Sequence, residues 1–287
     1  MKINMLQIVI FNVGAGQCIF FYPNGSKEYA MFVDCAQSED FSPISWLLEK
    51  GHIHHDGTRH VLSNLTLTNY DHDHFSGLPE ILKKKVHIDT VRLPKNLTAE
   101  EIKACKEDTT EALEGVCSLR SSYIYDAPLH VPPYVVNAFH LHQTHFPDQE
   151  INTNHLSQMV FVQYGGSQIC IAGDLERPAW ELILQQQGVA ENLRKTNVFV
   201  AAHHGRDNGY HESIFSHCAP ECVILSDKEM MHGTQDAMSQ TYSNHVTGDG
   251  VNFNSVTRKV LTTRSDGHIL INFHPDGNRE YTTLLTD

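Results

Sequence analysis

The chain opens on short runs of β-branched and aromatic residues, Gln7 to Asn12, Gln17 to Tyr22 and Tyr29 to Val33, separated by Gly14-Ala15-Gly16 and Pro23-Asn24-Gly25. Runs this short, bounded by turn formers, predict an antiparallel meander. The period then changes: Pro43 to Lys50 has helical spacing behind Ser42, an N-capping residue type. Asn64 to Thr68 returns to a short apolar strand and ends in the polar cluster Asn69 to His74. Leu78 to Lys85 predicts a helix and Thr90 to Leu93 a strand. Ala99 to about Cys117 predicts a charged helix, begun after Thr98 with Glu101 placed for a capping box.

From Ala127 to Gln158 the pattern loosens around Pro128, Pro132, Pro133 and Pro147. Met159 to Tyr164 and Gln168 to Ala172 then predict a hairpin around Gly165-Gly166 that ends at Gly173-Asp174. Beyond it come helix Ala179 to Gln187, strand Asn197 to Ala201, helix Glu212 to His217 and strand Cys222 to Leu225. A helical stretch near Gln235 to His245 and strands Lys259 to Thr262 and His268 to Phe273 follow. Both halves pass from strands to helix–strand alternation. Two mixed sheets packed face to face with helices on their outer faces, an α/β protein of the αββα sandwich type, accommodate that order and collect polar strand ends along one edge. The expected organisation is one domain over 1–287, with a variable helical and loop insertion at about 94–150.

Charge narrows the functional classes. With 34 acidic against 21 basic residues, the formal net charge is −13, which argues against a broad basic surface that coats nucleic acid. An anionic substrate stays open, because a bound divalent cation reverses the local sign of a site. Twenty histidines, several crowded into short windows, make metal or proton chemistry the first thing to test. Seven cysteines cannot all pair, and Cys18, Cys35 and Cys170 sit in apolar runs, so buried thiols are expected rather than a disulfide framework. His217-Cys218 and Cys222 lack a second cysteine pair and read as a helix end, not a zinc site. The start of the chain has no apolar h-region, and no run approaches the ~20 apolar residues of a membrane helix. A cytoplasmic protein without a membrane partner is the expectation.

Three polar clusters stand at predicted strand ends. In Asn69-Tyr70-Asp71-His72-Asp73-His74, alternate residues of an extended turn can aim their donors at one point and supply neighbouring metals from a short segment. Read alone, the run equally fits a turn whose side chains bond their own backbone. Gly173-Asp174 alone is an ordinary turn, whereas two adjacent imidazoles before a glycine, His203-His204-Gly205, are harder to explain by packing. Together the three favour a metal. His140 and His142 share a strand face and read equally as a half-exposed row, so they stay outside the set with His145. Lys83-Lys84-Lys85 reads as a solvated helix end, and Thr263 to Gly267 as a hairpin turn.

Thr68 to Gly77 resembles the H-x-H-x-D-H motif of the metallo-β-lactamase superfamily: Asp73, His74 and Gly77 fit, while Asn69 and Asp71 stand at the first two histidines. An aspartate at the second position is similar to the ComEC/Rec2 competence-protein branch. Asn12-Val13-Gly14-Ala15-Gly16-Gln17 resembles that branch's D-V-G-Q-G-D opening with amides for both acids, and Phe32-Val33-Asp34-Cys35 stands where its I-D-x-G does. Asn154 to Ser157, Ile171 to Glu176 and Ala202 to Gly205 resemble its N-x-x-S, T-G-D-I-E and P-H-H-G-S segments, in the same order.

The resemblance implies that Asp73, His74, Asp174 and His204 hold one metal, with Asp174 bridging to a second that Asp71 would share. Asn69 and His155 would contribute weakly to that second site. So oxygen-rich a set implies one or two divalent ions, Mn or Zn. The implied activity is hydrolysis of a phosphodiester by water activated on the metal, in DNA or another nucleic acid. Asp73 would orient the water, and His203 or His232 would protonate the leaving oxygen. Two readings compete: a hydrolase of a small phosphoester, cyclic nucleotide or amide, and a non-catalytic metal-binding module with a degraded first site. A regulatory protein partner is left open.

Overall fold

In the computed structural model of the chain, residues 4–123, 131–228 and 234–285 are described. The first part contributes strands β1 (Leu6–Ile10), β2 (Cys18–Pro23), β3 (Met31–Cys35), β4 (His54–His55), β5 (His60–Thr66) and β6 (His87–Arg92). Helices α1 (Pro43–Glu49), α2 (His72–Phe75), α3 (Leu78–Lys83), α4 (Ala99–Ala104) and α5 (Glu111–Ser122) lie among and after them. The second part contributes β7 (Val135–His140), β8 (Gln158–Tyr164), β9 (Ser167–Ile171), β10 (Val198–Val200) and β11 (Cys222–Leu225). It continues with β12 (Val251–Phe253), β13 (Val256–Arg258), β14 (Val260–Thr262), β15 (Ile269–Phe273) and β16 (Arg279–Thr283). Its helices are α6 (Arg177–Ile183), α7 (Val189–Lys195), α8 (Thr234–Ser243) and α9 (Thr263–Asp266).

Among the described residues the strands form two mixed sheets. One runs β13-β12-β16-β15-β1-β2-β3-β5-β4, with β6 also on β5; the other runs β14-β11-β10-β9-β8-β7. The meander β1–β2–β3 is antiparallel, and β3, β5 and β6 continue it in parallel, as the helical crossovers between them require. Ile8, Ile10, Ile19, Phe21 and Val33 on one side, and Val160, Val162, Ile169, Ile171 and Val200 on the other, close a shared apolar interior. The alternate residues face outward: Phe20, Phe32 and Leu65 join Ile44, Leu47, Leu78 and Ile81, while Phe161, Cys170 and Phe199 join Trp180, Ile183 and Leu193. Strands covered on both faces need no polar alternation, which is why the sequence shows them as continuous apolar runs. The architecture is the expected αββα sandwich.

Several boundaries differ from the sequence expectation for local reasons. The helix expected from Ala99 to Cys117 is two helices. Thr98 and Glu101 form the expected capping box, but the Thr110 hydroxyl accepts from the Leu113 backbone N–H at 3.1 Å and starts a second helix. Thr263 to Asp266 is a helical turn capped by Thr262 rather than a hairpin turn. Glu212–Ser216 is 3-10 rather than α, and β7 crosses the stretch read as loose, pairing with β8. The strands β12, β13 and β16 extend the first sheet beyond what the apolar pattern indicated. All seven cysteines are free, and among the described residues no helix is long and apolar enough to cross a membrane.

Close backbone approach fixes one edge. The Gln17 amide donates to the Asp73 carbonyl at 3.0 Å, and the Gly77 amide donates to the Cys35 carbonyl at 2.9 Å. A methyl group on Gly16 would stand 2.7 Å from the Asp73 oxygen, and one on Gly77 would overlap the Cys35 oxygen. The 72–77 turn is thereby pressed onto the ends of β2 and β3. Gly77→Ala should cost about 1–3 kcal/mol, read as a lower urea midpoint with unchanged slope; an unaltered midpoint would show that the turn is not held this way.

Candidate metal centre

Three segments at the same edge bring Asp73, His74, Asp174 and His204 together. One donor atom from each lies within 4.8 Å of all the others. His74 Nε2 is 3.0 Å from Asp174 Oδ1 and 4.0 Å from Asp73 Oδ1; His204 Nε2 is 3.2 Å from Asp73 Oδ2 and 3.7 Å from Asp174 Oδ1. Ligands placed tetrahedrally at about 2.0–2.2 Å from an ion are separated by roughly 3.4 Å. The spacing fits a divalent cation without rearrangement of the chain.

Hydrogen bonds behind the imidazoles set their tautomers. His74 Nδ1 lies 2.8 Å from Asp34 Oδ2, and His204 Nδ1 lies 2.8 Å from the Ser226 carbonyl. Each Nδ1–H is donated outward, so each Nε2 presents its lone pair to the shared centre. Both Nε2 atoms are buried and, among the described residues, neither makes a hydrogen bond, although carboxylate oxygens stand close by. Buried polar atoms without partners are costly, and a cation among the four donors satisfies both. Asp174 is held from the other side by the Ser157 hydroxyl, which accepts its N–H at 3.1 Å.

Asp34 is the residue that sequence reasoning passed over. It was matched to a strand-end motif without being given a role. Fully buried, its carboxylate accepts from Gln17 Nε2 at 2.6 Å, from the Thr68 amide at 2.6 Å, from the Thr68 hydroxyl at 2.5 Å and from His74. Its backbone is left-handed, φ 56°, as are those of His203 (φ 50°) and His204 (φ 56°). Three of the six described non-glycine residues with positive φ thus stand at this one edge, and such conformations cost of order 1–3 kcal/mol each. The 202–210 loop is held against that cost: Trp180 Nε1 donates to the Gly209 carbonyl at 2.9 Å and Arg177 donates to Asp207 Oδ2 at 2.6 Å.

The remaining expected residues are placed differently. Asp71 is not in the group of four; its carboxylate pairs with Lys106 Nζ and accepts the Thr153 hydroxyl at 2.8 Å. The Asn69 amide donates to Asn154 Oδ1 at 2.8 Å. His155 Nε2 faces Glu176 Oε2 at 3.3 Å. His203 accepts from Arg206 on Nε2 at 2.9 Å and turns Nδ1 toward Glu176 Oε1 at 3.4 Å. Glu176 also accepts from Asn154 and Asn208, so it gathers the polar residues beside the centre. Its place two residues after Asp174 was the signal available. His232 lies outside the described residues.

The electrostatics follow from this packing. Burial opposes a charged His74, yet Asp174 and Asp34 outweigh it and its pKa stands well above the ordinary histidine value. His204 is raised in the same way, burial being overcome by Asp174 and Asp73. Asp174 is held below the usual carboxylate range, the burial penalty being exceeded by His74 and His204. His203 moves the other way: burial lowers it, with Arg206 adding to that against the pull of Asp174. It holds a proton less readily than an ordinary histidine, which suits a neutral hydrogen-bonding role better than a proton donor near pH 7.

No protein-family model matches the chain, and no curated protein matches it. Solved structures do. The metallo-β-lactamase fold protein YhfI from Bacillus subtilis is 12% identical, with 94% of this chain and 100% of that chain covered and a TM-score of 0.51. CmlA, a diiron β-hydroxylase from Streptomyces venezuelae, is 11% identical at a TM-score of 0.50; the match covers 99% of this chain and 55% of that one, so this chain spans about half of it. The chain has the metallo-β-lactamase fold.

Two outcomes are expected. Asp34→Asn retains a side chain that tolerates the left-handed backbone but loses the charge that orients His74. Its zinc affinity, measured by chelator competition, should fall about 10–100-fold while far-UV circular dichroism is retained; wild-type affinity would remove Asp34 from the account. Because the raised His74 and His204 must lose their protons to ligate, metal binding should release protons at neutral pH and weaken as pH falls. Calorimetric enthalpies that do not vary with the buffer's ionisation heat would contradict this.

Proposed function

We propose that this chain is a metal-dependent hydrolase of phosphoesters and that a phosphodiester is its substrate. The observation that carries the reading is the pair of buried Nε2 atoms, without a hydrogen-bond partner among the described residues, facing two carboxylates within ion-binding distance. Asp73, His74, Asp174 and His204 would hold the ion, two imidazole nitrogens and two carboxylate oxygens being a set that suits Zn or Mn. When bound, such a cation acidifies water and neutralises charge on a phosphoryl oxygen.

The chain's own groups supply the rest. Asp73 has a partly exposed side chain, 35% against 3% for Asp174, so it stands on the solvent side and can orient an incoming water. Asp174, buried and held below the usual carboxylate range by His74 and His204, presents an anionic oxygen beside both imidazoles. Arg206 donates to His203 Nε2, which leaves the proton of the neutral ring on Nδ1, turned toward Glu176. The motif order supports a place in the ComEC/Rec2-like branch and hence DNA or another nucleic acid as substrate. The net charge of −13 instead favours a small phosphoester or a short, locally bound strand.

A panel of bis(p-nitrophenyl) phosphate, single- and double-stranded DNA, a cyclic nucleotide and a β-lactam, each with Zn and with Mn, tests the reading. Phosphodiester cleavage should depend on the metal and fall at least about a hundredfold in Asp73→Ala and Asp174→Ala, with the folded state retained. Turnover that survives in purified Asp174→Ala, or amide cleavage alone, would overturn it.

A further inference from the structure

The Lys106 side chain is 21% exposed, against 77% for Lys83 and 43% for Lys103. It lies in the break between α4 and α5, and that break turns it inward to Asp71. Its ammonium pairs with Asp71 and donates to the Thr153 hydroxyl at 3.3 Å, and that hydroxyl donates to the same Asp71 oxygen. Asp71 in turn caps the turn that carries Asp73 and His74, its carbonyl accepting the His74 N–H at 3.0 Å. A cation is therefore fixed on Asp71, two residues before Asp73, by residues from two separate loops.

From this we infer that Lys106 is the second cation of the centre: the chain holds one metal ion, and the ammonium on Asp71 occupies the side where a second ion would sit and binds the anionic part of the substrate. Of the residues that a second ion would recruit besides the shared Asp174, each already has a protein partner. Asp71 is paired with Lys106, the Asn69 amide is spent on Asn154 and on the Tyr70 and Asp71 backbone, and His155 faces Glu176. Seating a divalent ion there would set it against the ammonium at short range in a partly desolvated site, a strong repulsion. The ammonium has three N–H donors, and Asp71 and Thr153 account for two of them. Among the described residues nothing takes the third, which is left for a ligand oxygen, and a preorganised cation needs no reorganisation when phosphoryl charge develops.

The consequence for turnover rests on the hydrolase reading, but ion count and phosphate affinity are measured without turnover. Elemental analysis of the full chain equilibrated with zinc should give one ion per chain in the wild type, and Lys106→Met should keep that first ion with equal affinity. Inorganic phosphate, titrated calorimetrically into the zinc-loaded protein, should bind about tenfold more weakly to Lys106→Met, the loss expected for one charge-assisted contact. Lys106→Arg should recover most of that affinity. Lys106→Gln, which keeps a donor to Asp71 without the charge, gives the same comparison if the methionine variant does not fold. Two ions in the wild type with one lost in Asp71→Asn, no bound ion at all, or phosphate affinity unchanged by removal of the charge would each overturn the inference. A protein that holds one ion and binds phosphate through Lys106, yet cleaves no ester, refutes the hydrolase reading and leaves this one standing.

Discussion

The buried carboxylate of Asp34 is the contact on which the candidate centre depends. It takes hydrogen bonds from the end of β2 through Gln17, from the loop after β5 through both donors of Thr68, and from His74. A buried anion is stable only when its acceptor sites are filled, and filling them here ties together three segments that share no local sequence. The same bonds dictate which nitrogen of His74 faces inward. Fold and chemistry are thus coupled at one side chain: the strain of its left-handed backbone is offset by the bonds that orient the metal ligand.

The opposite side of the centre uses a different device. His204 hangs on a backbone carbonyl, that of Ser226, and the Ser226 hydroxyl donates to the Gly16 carbonyl at 2.9 Å, which links the end of β11 to the β1–β2 turn of the other sheet. The two imidazoles are therefore positioned from different sheets, and their separation reports how the sheets meet at this edge. Gly16 and Gly77 contribute by having no side chain where backbones must touch. A rigid frame of this kind leaves the inward-facing nitrogens without a hydrogen-bond partner among the described residues, which is the arrangement a cation completes.

Much of the fold was legible in the sequence because both sheets are covered on both faces. Short apolar runs such as 18–22 and 159–162, bounded by turn formers, favour strands over helices, and Asp73, His74, Asp174 and His204 stand out as polar residues near strand ends. The break at Cys105 to Thr110 was not legible, since charged helical spacing continues across it and only the Thr110 cap, competing locally with the helix, divides it. For the same reason Lys106 could not be connected to Asp71: the pairing exists only once that break turns the chain inward. Asp34 was missed because its partners are 17 to 40 residues away, beyond any pattern of spacing. Asp71 matched the position of a ligand by motif, but motif position carries no information about a lysine arriving from another loop.

These observations make a single cation among two imidazoles and two carboxylates the centre of the account. X-ray absorption at the zinc edge of the loaded protein tests it most directly. Nitrogen and oxygen neighbours at about 2.0–2.2 Å, with imidazole outer-shell scattering, are expected. A shell containing sulfur at about 2.3 Å, or one without imidazole, would place the metal on cysteines or surface carboxylates and contradict it.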